Sequence, residues 1–194
     1  MLAAEGESIS GRETIYSLFS QPLEKIVVPT NQRSINLYAE SIYRMIGVRV
    51  TGKSSPKSAG QVVRDHWAGK GIDMAGFQME DGSGLSPANT VTARQMALIL
   101  RHAADSPTFE SFYGSLPVAG RSGTLRSIGR GTAVEGRVRA KSGTIHRVKN
   151  YAGYVSTRSG KRYAFALFIN HYTGSHSAVK TKIVRIWKRM IAIE

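Results

Sequence analysis

Residues 138–172 read VRAKSGTIHRVKNYAGYVSTRSGKRYAFALFINHY, and this segment decides the fold. Apolar and polar residues alternate along it, which predicts strands over 138–148, 151–157 and 162–172. The sequence RSGK between the last two strands is typical of a tight hairpin turn. We therefore expect the three strands to form one antiparallel sheet.

The residues that follow the strands predict a helix packed on this sheet. The sequence SAVKTKIVRIWKRMIA, residues 177–192, has its apolar residues on one stripe and basic residues over the rest. The stripe comprises Val179, Ile183, Ile186, Trp187 and Met190.

The chain up to residue 116 predicts mainly helices. Gly47 is expected to end the first of them, Ser55 and Pro56 to begin the second, and a capping box of Thr92 and Gln95 to begin the third. The predicted elements before the helices are a short strand or extended segment over 12–20 and a loop over 21–34. The predicted helices cover 36–47 and about 56–70. A third runs from the capping box through residue 104, and a short fourth begins at residue 106. Helices, an antiparallel meander and a final helix make an α+β plan.

Length and composition exclude several classes of protein. A chain of 194 residues can form one sizeable core, or one core and a small lobe. There is no run of eighteen apolar residues that would span a membrane, and the first residues do not resemble a signal peptide. The absence of cysteine excludes disulfides, a catalytic thiol and thiolate metal sites.

The net charge of +14 is unevenly distributed. Residues 1–120 contain eleven basic and eleven acidic residues, whereas residues 121–194 contain sixteen basic and two acidic residues. A one-sided basic field attracts polyanions such as nucleic acid, acidic lipid or an anionic wall polymer. A solvated basic face with no ligand is the alternative.

Lys141-Ser142-Gly143-Thr144 interrupts the first strand with residue types that suit a binding wall. A lysine and a hydroxyl can bind a carboxylate, the glycine lets another backbone approach, and the N–H of Thr144 can point at a developing oxyanion. An edge-strand glycine beside a surface lysine is the alternative interpretation.

Ser34-Ile35-Asn36 precedes the predicted helix over 36–47 and has the form S-x-N. In β-lactamases and penicillin-binding proteins, K-T-G occurs together with S-x-x-K and an element of this form. Taken alone, Ser34 also fits a plain helix N-cap.

Further stretches occur in a fixed order: SQPLEKIVVPTNQRSINLYAE, DGSGLS, SLPVAGRSGTL, VRAKSGTI with NYAGYV, and INH. Over roughly residues 15–190 they resemble the D-alanyl-D-alanine carboxypeptidases of the class C low-molecular-mass penicillin-binding proteins. The resemblance implies the C-terminal part of a β-lactamase/transpeptidase-like fold. It also implies a serine peptidase that cleaves peptidoglycan stem peptides ending in D-Ala-D-Ala, reacts with β-lactams when complete, and is periplasmic or exported.

The resemblance also implies roles for individual residues. Ser34 matches the serine that helps to pass a proton to the leaving amine, and Asn36 matches the asparagine that binds the substrate amide. Lys141, Ser142 and Gly143 match K-T-G with serine for threonine, and Thr144 matches the residue that supplies an oxyanion N–H and a carboxylate contact.

The nucleophile of that family is missing from its expected place. None of the serines before Ser34 has a lysine three positions later. Ser54–Lys57 and Ser177–Lys180 have the S-x-x-K spacing, but both follow the S-x-N element, and Pro56 separates the first pair. The sequence therefore predicts a C-terminal portion, covering residues 1–194, that is inactive alone because no acyl-enzyme can form.

Other chemistry has weaker support in the sequence. The five histidines form no metal-binding motif, so we expect neither a metal nor another cofactor. Asp81 lies in DGSGLS, which is first of all a turn. A noncatalytic basic module that binds a polyanion is the rival function, although the aromatic residues do not interleave with the basic ones as stacking on nucleic acid requires.

Overall fold

The computed structural model describes residue 13 and residues 15–194. The described elements are α1 (Leu23–Arg33), α2 (Asn36–Thr51), α3 (Pro56–Ala68), α4 (Ala93–Ala104), α5 (Phe109–Ser115), a 3₁₀ turn (Gly123–Leu125), β1 (Val138–Ile145), β2 (Val148–Ser156), β3 (Arg162–Asn170) and α6 (His176–Ile191). This order confirms the α+β plan.

The three strands form one antiparallel sheet in the order β1-β2-β3, as the sequence predicts. The first strand is shorter than the predicted 138–148, because His146 and Arg147 make a two-residue turn into β2. Arg147, the second residue of this turn, has a φ of 54°, in the left-handed region that some tight turns use at that position. The register places Lys141 opposite Ala152 and Thr144 opposite Lys149.

Helix α6 packs against one face of the sheet. The Trp187 ring is 5.2 Å from the Tyr151 ring and 6.0 Å from the Phe165 ring, with edge-on geometry in both pairs. The predicted stripe is right in direction but partly wrong in membership, since Ile186 is 41% exposed and Ile191 is buried. Residues spaced by four lie on the side of the helix that faces the sheet.

The helical portion covers the opposite face of the sheet. The Tyr154 ring from β2 packs against Phe109, Phe112 and Tyr113, and its hydroxyl donates to the Leu100 carbonyl at 2.7 Å. The sheet is thus a middle layer, with α4 and α5 on one side and α6 on the other.

The predicted loop over 21–34 is wrong, because residues 23–33 form α1. Pro29 lies inside this helix, where a proline removes one backbone donor. Tertiary contacts outweigh that loss: the Asn31 side chain donates to Ser115 Oγ at 2.7 Å, and the Gln32 side chain donates to the Ser115 carbonyl at 2.9 Å.

Helix α2 continues past Gly47, where the sequence predicted its end, and stops at Gly52 with a φ of 69°. Gly47 is required by packing instead, since a Cβ there would lie 2.8 Å from the Lys53 carbonyl oxygen. In this helix Leu37 is 71% exposed, whereas Tyr43 is buried.

The predicted starts of the next two helices are confirmed. Ser55 Oγ accepts a bond from the Ser58 N–H at the start of α3, and Thr92 and Gln95 form the capping box of α4. Residues 15–20 form no strand, and residues 12 and 14 of the predicted strand or extended segment over 12–20 lie outside the described residues. Within the described part of the chain, no helix is long and apolar enough to span a membrane.

Candidate active site

Ser34 lies at the junction of α1 and α2 in an uncommon backbone conformation. Its φ of 56° and ψ of 52° are left-handed, and it ends α1. Residues other than glycine rarely adopt this conformation, and such exceptions concentrate at functional sites. The simpler interpretation of Ser34 as the N-cap of α2 is wrong, because Ile35 holds that position.

Lys141 reaches Ser34 across 107 residues of sequence. Its Nζ donates to Ser34 Oγ at 2.7 Å and to the Ser142 carbonyl at 2.7 Å. Burial lowers the pKa of Lys141 below its ordinary value. Among the residues that the structure describes, no carboxylate forms an ion pair with it. Lys141 is therefore a partly buried cation that positions the Ser34 hydroxyl.

The rest of the Lys141–Thr144 segment leaves room for a ligand. Ser142 Oγ donates to Thr124 Oγ1 at 2.8 Å, which ties β1 to the 3₁₀ turn. Gly143 is exposed, and a Cβ added there would meet only the Asn150 Cβ, at 3.8 Å. Packing within the described protein does not require glycine at this position, and the space beside it is open to a ligand.

Thr144 is exposed, but its hydroxyl has a buried partner that sequence reasoning missed. Lys149 Nζ donates to Thr144 Oγ1 at 2.6 Å, and Lys149 is only 9% exposed. Burial lowers the pKa of Lys149, and the nearby charge of Lys180 lowers it further. No local signal marked this partner, because Lys149 lies between the predicted strands over 138–148 and 151–157.

Asn36 occupies the first position of α2, two residues from Ser34, and is exposed. In the described structure its side chain forms no hydrogen bond. The structure thus joins Ser34 directly to Lys141, whereas Asn36 is brought close only by its place in the chain.

The two other serine–lysine pairs are placed differently. Ser54 lies outside α3, which begins at Pro56, so Ser54 and Lys57 do not share a helical turn. Ser177 and Lys180 both belong to α6 and line a groove against residues 127–132.

Asp81 organises its own loop, as the turn interpretation predicts. Its carboxylate accepts bonds from the N–H groups of Gly84 and Ser86 and from the Asn89 amide. Burial alone would raise the pKa of Asp81, but these bonds together lower it, so the group is held ionised.

Comparison with known proteins identifies the family. Residues 3–190 match the model of the D-Ala-D-Ala carboxypeptidase 3 (S13) family. A D-alanyl-D-alanine carboxypeptidase of Actinomadura sp. is 38% identical over 160 residues, which are 80% of this chain and 30% of that protein.

Solved structures agree with this match. Penicillin binding protein 4 (dacB) of Haemophilus influenzae, complexed with a β-lactam, superposes with a TM-score of 0.77 at 26% identity, covering 88% of this chain and 41% of that one. The TLA-3 extended-spectrum β-lactamase shares the fold alone, with a TM-score of 0.65 at 12% identity, covering 88% of this chain and 65% of that one. The fold is thus part of a β-lactamase-like fold.

This chain spans less than half the length of the Actinomadura and Haemophilus proteins. The match nevertheless extends over nearly all of its own residues and includes the Ser34–Asn36 and Lys141–Thr144 elements. The chain therefore belongs to the D-Ala-D-Ala carboxypeptidase 3 (S13) family.

Proposed function

We propose that this chain supplies two walls of the active site of a serine-type D-Ala-D-Ala carboxypeptidase and endopeptidase that remodels peptidoglycan. The observation that carries the proposal is the 2.7 Å bond from Lys141 Nζ to Ser34 Oγ, which joins the two expected motifs across the fold. The substrate is a stem peptide ending in D-Ala-D-Ala, and the proposed location is periplasmic or exported.

Each residue then has a definite role. Lys141 holds the Ser34 hydroxyl so that it can pass a proton to the amine that leaves when the peptide bond breaks. Asn36 binds the substrate amide. The Thr144 N–H stabilises the oxyanion, and the hydroxyls of Ser142 and Thr144 bind the terminal carboxylate.

The peptide lies along the outer edge of β1. Residues 117–119 already cover the first half of that edge, since Ala119 N–H donates to the Val138 carbonyl and Ala140 N–H donates to the Pro117 carbonyl. The second half, Ser142–Ile145, carries the exposed Gly143. An extended peptide can therefore pair there, as in other cases of strand addition.

We further propose that this chain is the C-terminal portion of a transpeptidase-like domain whose nucleophile belongs to a preceding segment. No Ser-x-x-Lys precedes Ser34 in the sequence, and the relatives are more than twice as long. Without that serine the chain binds but does not form an acyl-enzyme. The complete protein would react with β-lactams.

Intact-mass spectrometry after incubation with a penicillin tests the proposal. We expect no mass increase for this chain, and one penicilloyl group for the protein translated from a reading frame extended upstream to a Ser-x-x-Lys. A stoichiometric adduct on Ser54 or Ser177 of the present chain would contradict it. So would an upstream frame that contains no Ser-x-x-Lys.

A further inference from the structure

A groove of about 500 Å³ lies where α6 meets residues 127–132. Four cationic side chains line it, one from the 127–132 segment and three from α6. They are Arg130, Lys180, Arg185 and Lys188. Each wall also contributes two hydroxyl side chains, and the lining contains neither an acidic nor an aromatic residue. Ser34 and Lys141 do not line the groove, so it is separate from the candidate active site.

The four cations of this groove have no acidic partner in its lining. Within residues 15–194, none of the four cations forms an ion pair. Glu135 is the acidic residue nearest in sequence to the 127–132 wall. Its carboxylate accepts from the Gly131 N–H of that wall at 2.8 Å and lies 3.8 Å from Arg121 Nε, but Glu135 does not line the groove. The groove is therefore a concentrated part of the basic excess of residues 121–194.

The α6 wall is held rigidly. Ser177, Thr181, Val184 and Lys188 are spaced by four, three and four residues, so they share one side of the helix. The adjacent side is fixed to the sheet through Trp187 and the other buried residues of α6. Binding at the groove would thus require little ordering of the backbone, which favours affinity.

We propose that this groove binds a linear phosphodiester polymer of polyols, of the kind found among anionic wall polymers. Four cations suit successive phosphates, and the hydroxyls of both walls suit a polyol. A nucleic acid fits less well, because there is no aromatic ring on which a base could stack. A flat bilayer fits less well, because the cations line a recess between two walls.

Fluorescence anisotropy with labelled poly(glycerol phosphate) tests this on the present chain. The test variant is Arg130→Gln with Lys188→Gln, which removes one cation from each wall. The matched control is Lys57→Gln with Lys70→Gln, which makes the same change in net charge at exposed residues outside the groove. Circular dichroism and thermal unfolding check that all three proteins fold alike.

We expect the groove variant to lose about tenfold in affinity, and the control less than about twofold. In single-stranded nucleic acid, each phosphate contact contributes about −0.7 to the slope of log K against log salt. With the same contribution here, the slope should be about −3 for the four cations of the parent and about −1.5 for the two that remain in the groove variant. Equal losses in the groove variant and the control would overturn the proposal, because the binding would then follow overall charge.

Two further probes distinguish the proposed polyol polymer from other polyanions. A single-stranded oligonucleotide with the same number of phosphates, and vesicles containing phosphatidylglycerol, should both bind more weakly than the polyol polymer. Tighter binding of either probe would overturn the assignment. None of these measurements depends on acyl transfer, so the result is independent of the proposed peptidase activity.

Discussion

Lys149 and Thr144 are paired across β1 and β2, and Lys149 Nζ lies 2.6 Å from Thr144 Oγ1. The lysine is buried and has no ion-pair partner in the described part of the chain. A cation that donates to a hydroxyl polarises its O–H, so Thr144 becomes a better donor to a carboxylate in the proposed cleft. Lys149 is thus a positioning residue behind Thr144.

Replacing Lys149 by methionine, in a chain extended to include the nucleophile, should raise the KM for a D-Ala-D-Ala peptide by about tenfold. The effect should nearly vanish for a peptide ending in D-alaninamide, because that substrate lacks the carboxylate. Steady-state kinetics with both substrates measures the difference. An equal loss with both substrates would indicate a merely structural role.

Replacing Lys141 by alanine in the same extended protein should slow acylation by about 100-fold or more, because Ser34 loses its donor and the site loses its charge. Stopped-flow measurement with a chromogenic β-lactam gives the acylation rate. Lys161→Ala is a suitable control, since Lys161 is an exposed residue in the turn between β2 and β3. Unchanged acylation in the Lys141 variant would refute the proposed role.

The low pKa of Lys141 also predicts a pH dependence of stability in the present chain. Between that pKa and the ordinary value of 10.5, the unfolded chain binds more protons than the folded one. The free energy of unfolding should therefore gain a rising contribution across that window as pH increases. Urea titrations at several alkaline pH values should show a smaller rise for Lys141→Met, and an identical rise would contradict the burial of the charge.

Tyr151 and Tyr154 provide a matched pair for the cost of burying a hydroxyl. Burial raises the pKa of both to about 12. The Tyr151 hydroxyl is buried without a partner among the described residues, whereas that of Tyr154 donates to Leu100. Tyr151→Phe should be neutral or stabilising at pH 7, and Tyr154→Phe should cost about 1 kcal/mol. Equal costs in urea unfolding would contradict this.

Gly47→Ala should destabilise the chain by about 2 kcal/mol, because the new Cβ would lie 2.8 Å from the Lys53 carbonyl oxygen and 3.2 Å from the Ala59 nitrogen. Gly114→Ala in α5 is the control, since nothing lies within 4 Å of the added carbon. That change should be neutral or slightly stabilising, because alanine favours helix. Thermal unfolding of both variants measures the contrast.

Local patterns in the sequence predicted the sheet, the hairpin between β2 and β3, the capping box at Thr92 and the final helix. Each of these depends on residues close together in the chain. The errors over 21–34 and at Gly47 have the opposite origin: contacts with Ser115 stabilise α1, and close packing against α3 requires the glycine. Such long-range contacts outweigh local propensity and cannot be read from neighbouring residues.

The same distinction between local patterns and long-range contacts holds for the candidate site. The motifs led to Ser34 and Lys141, but only the fold gives their 2.7 Å separation. The left-handed conformation of Ser34 and the buried partner of Thr144 had no clear local signal. Lys149 is recognisable only once the register of β1 and β2 is known.

The outer edge of β3 has a consequence for handling the protein. In the described sheet β3 pairs only with β2, so one side of Arg162–Asn170 presents unpaired N–H and C=O groups. The stretch from Tyr163 to Ile169 contains neither a charge nor a proline that would discourage pairing. Concentrated solutions of this chain should therefore be prone to intermolecular strand pairing and slow aggregation. A segment of the protein that adds a strand at this edge should reduce that aggregation.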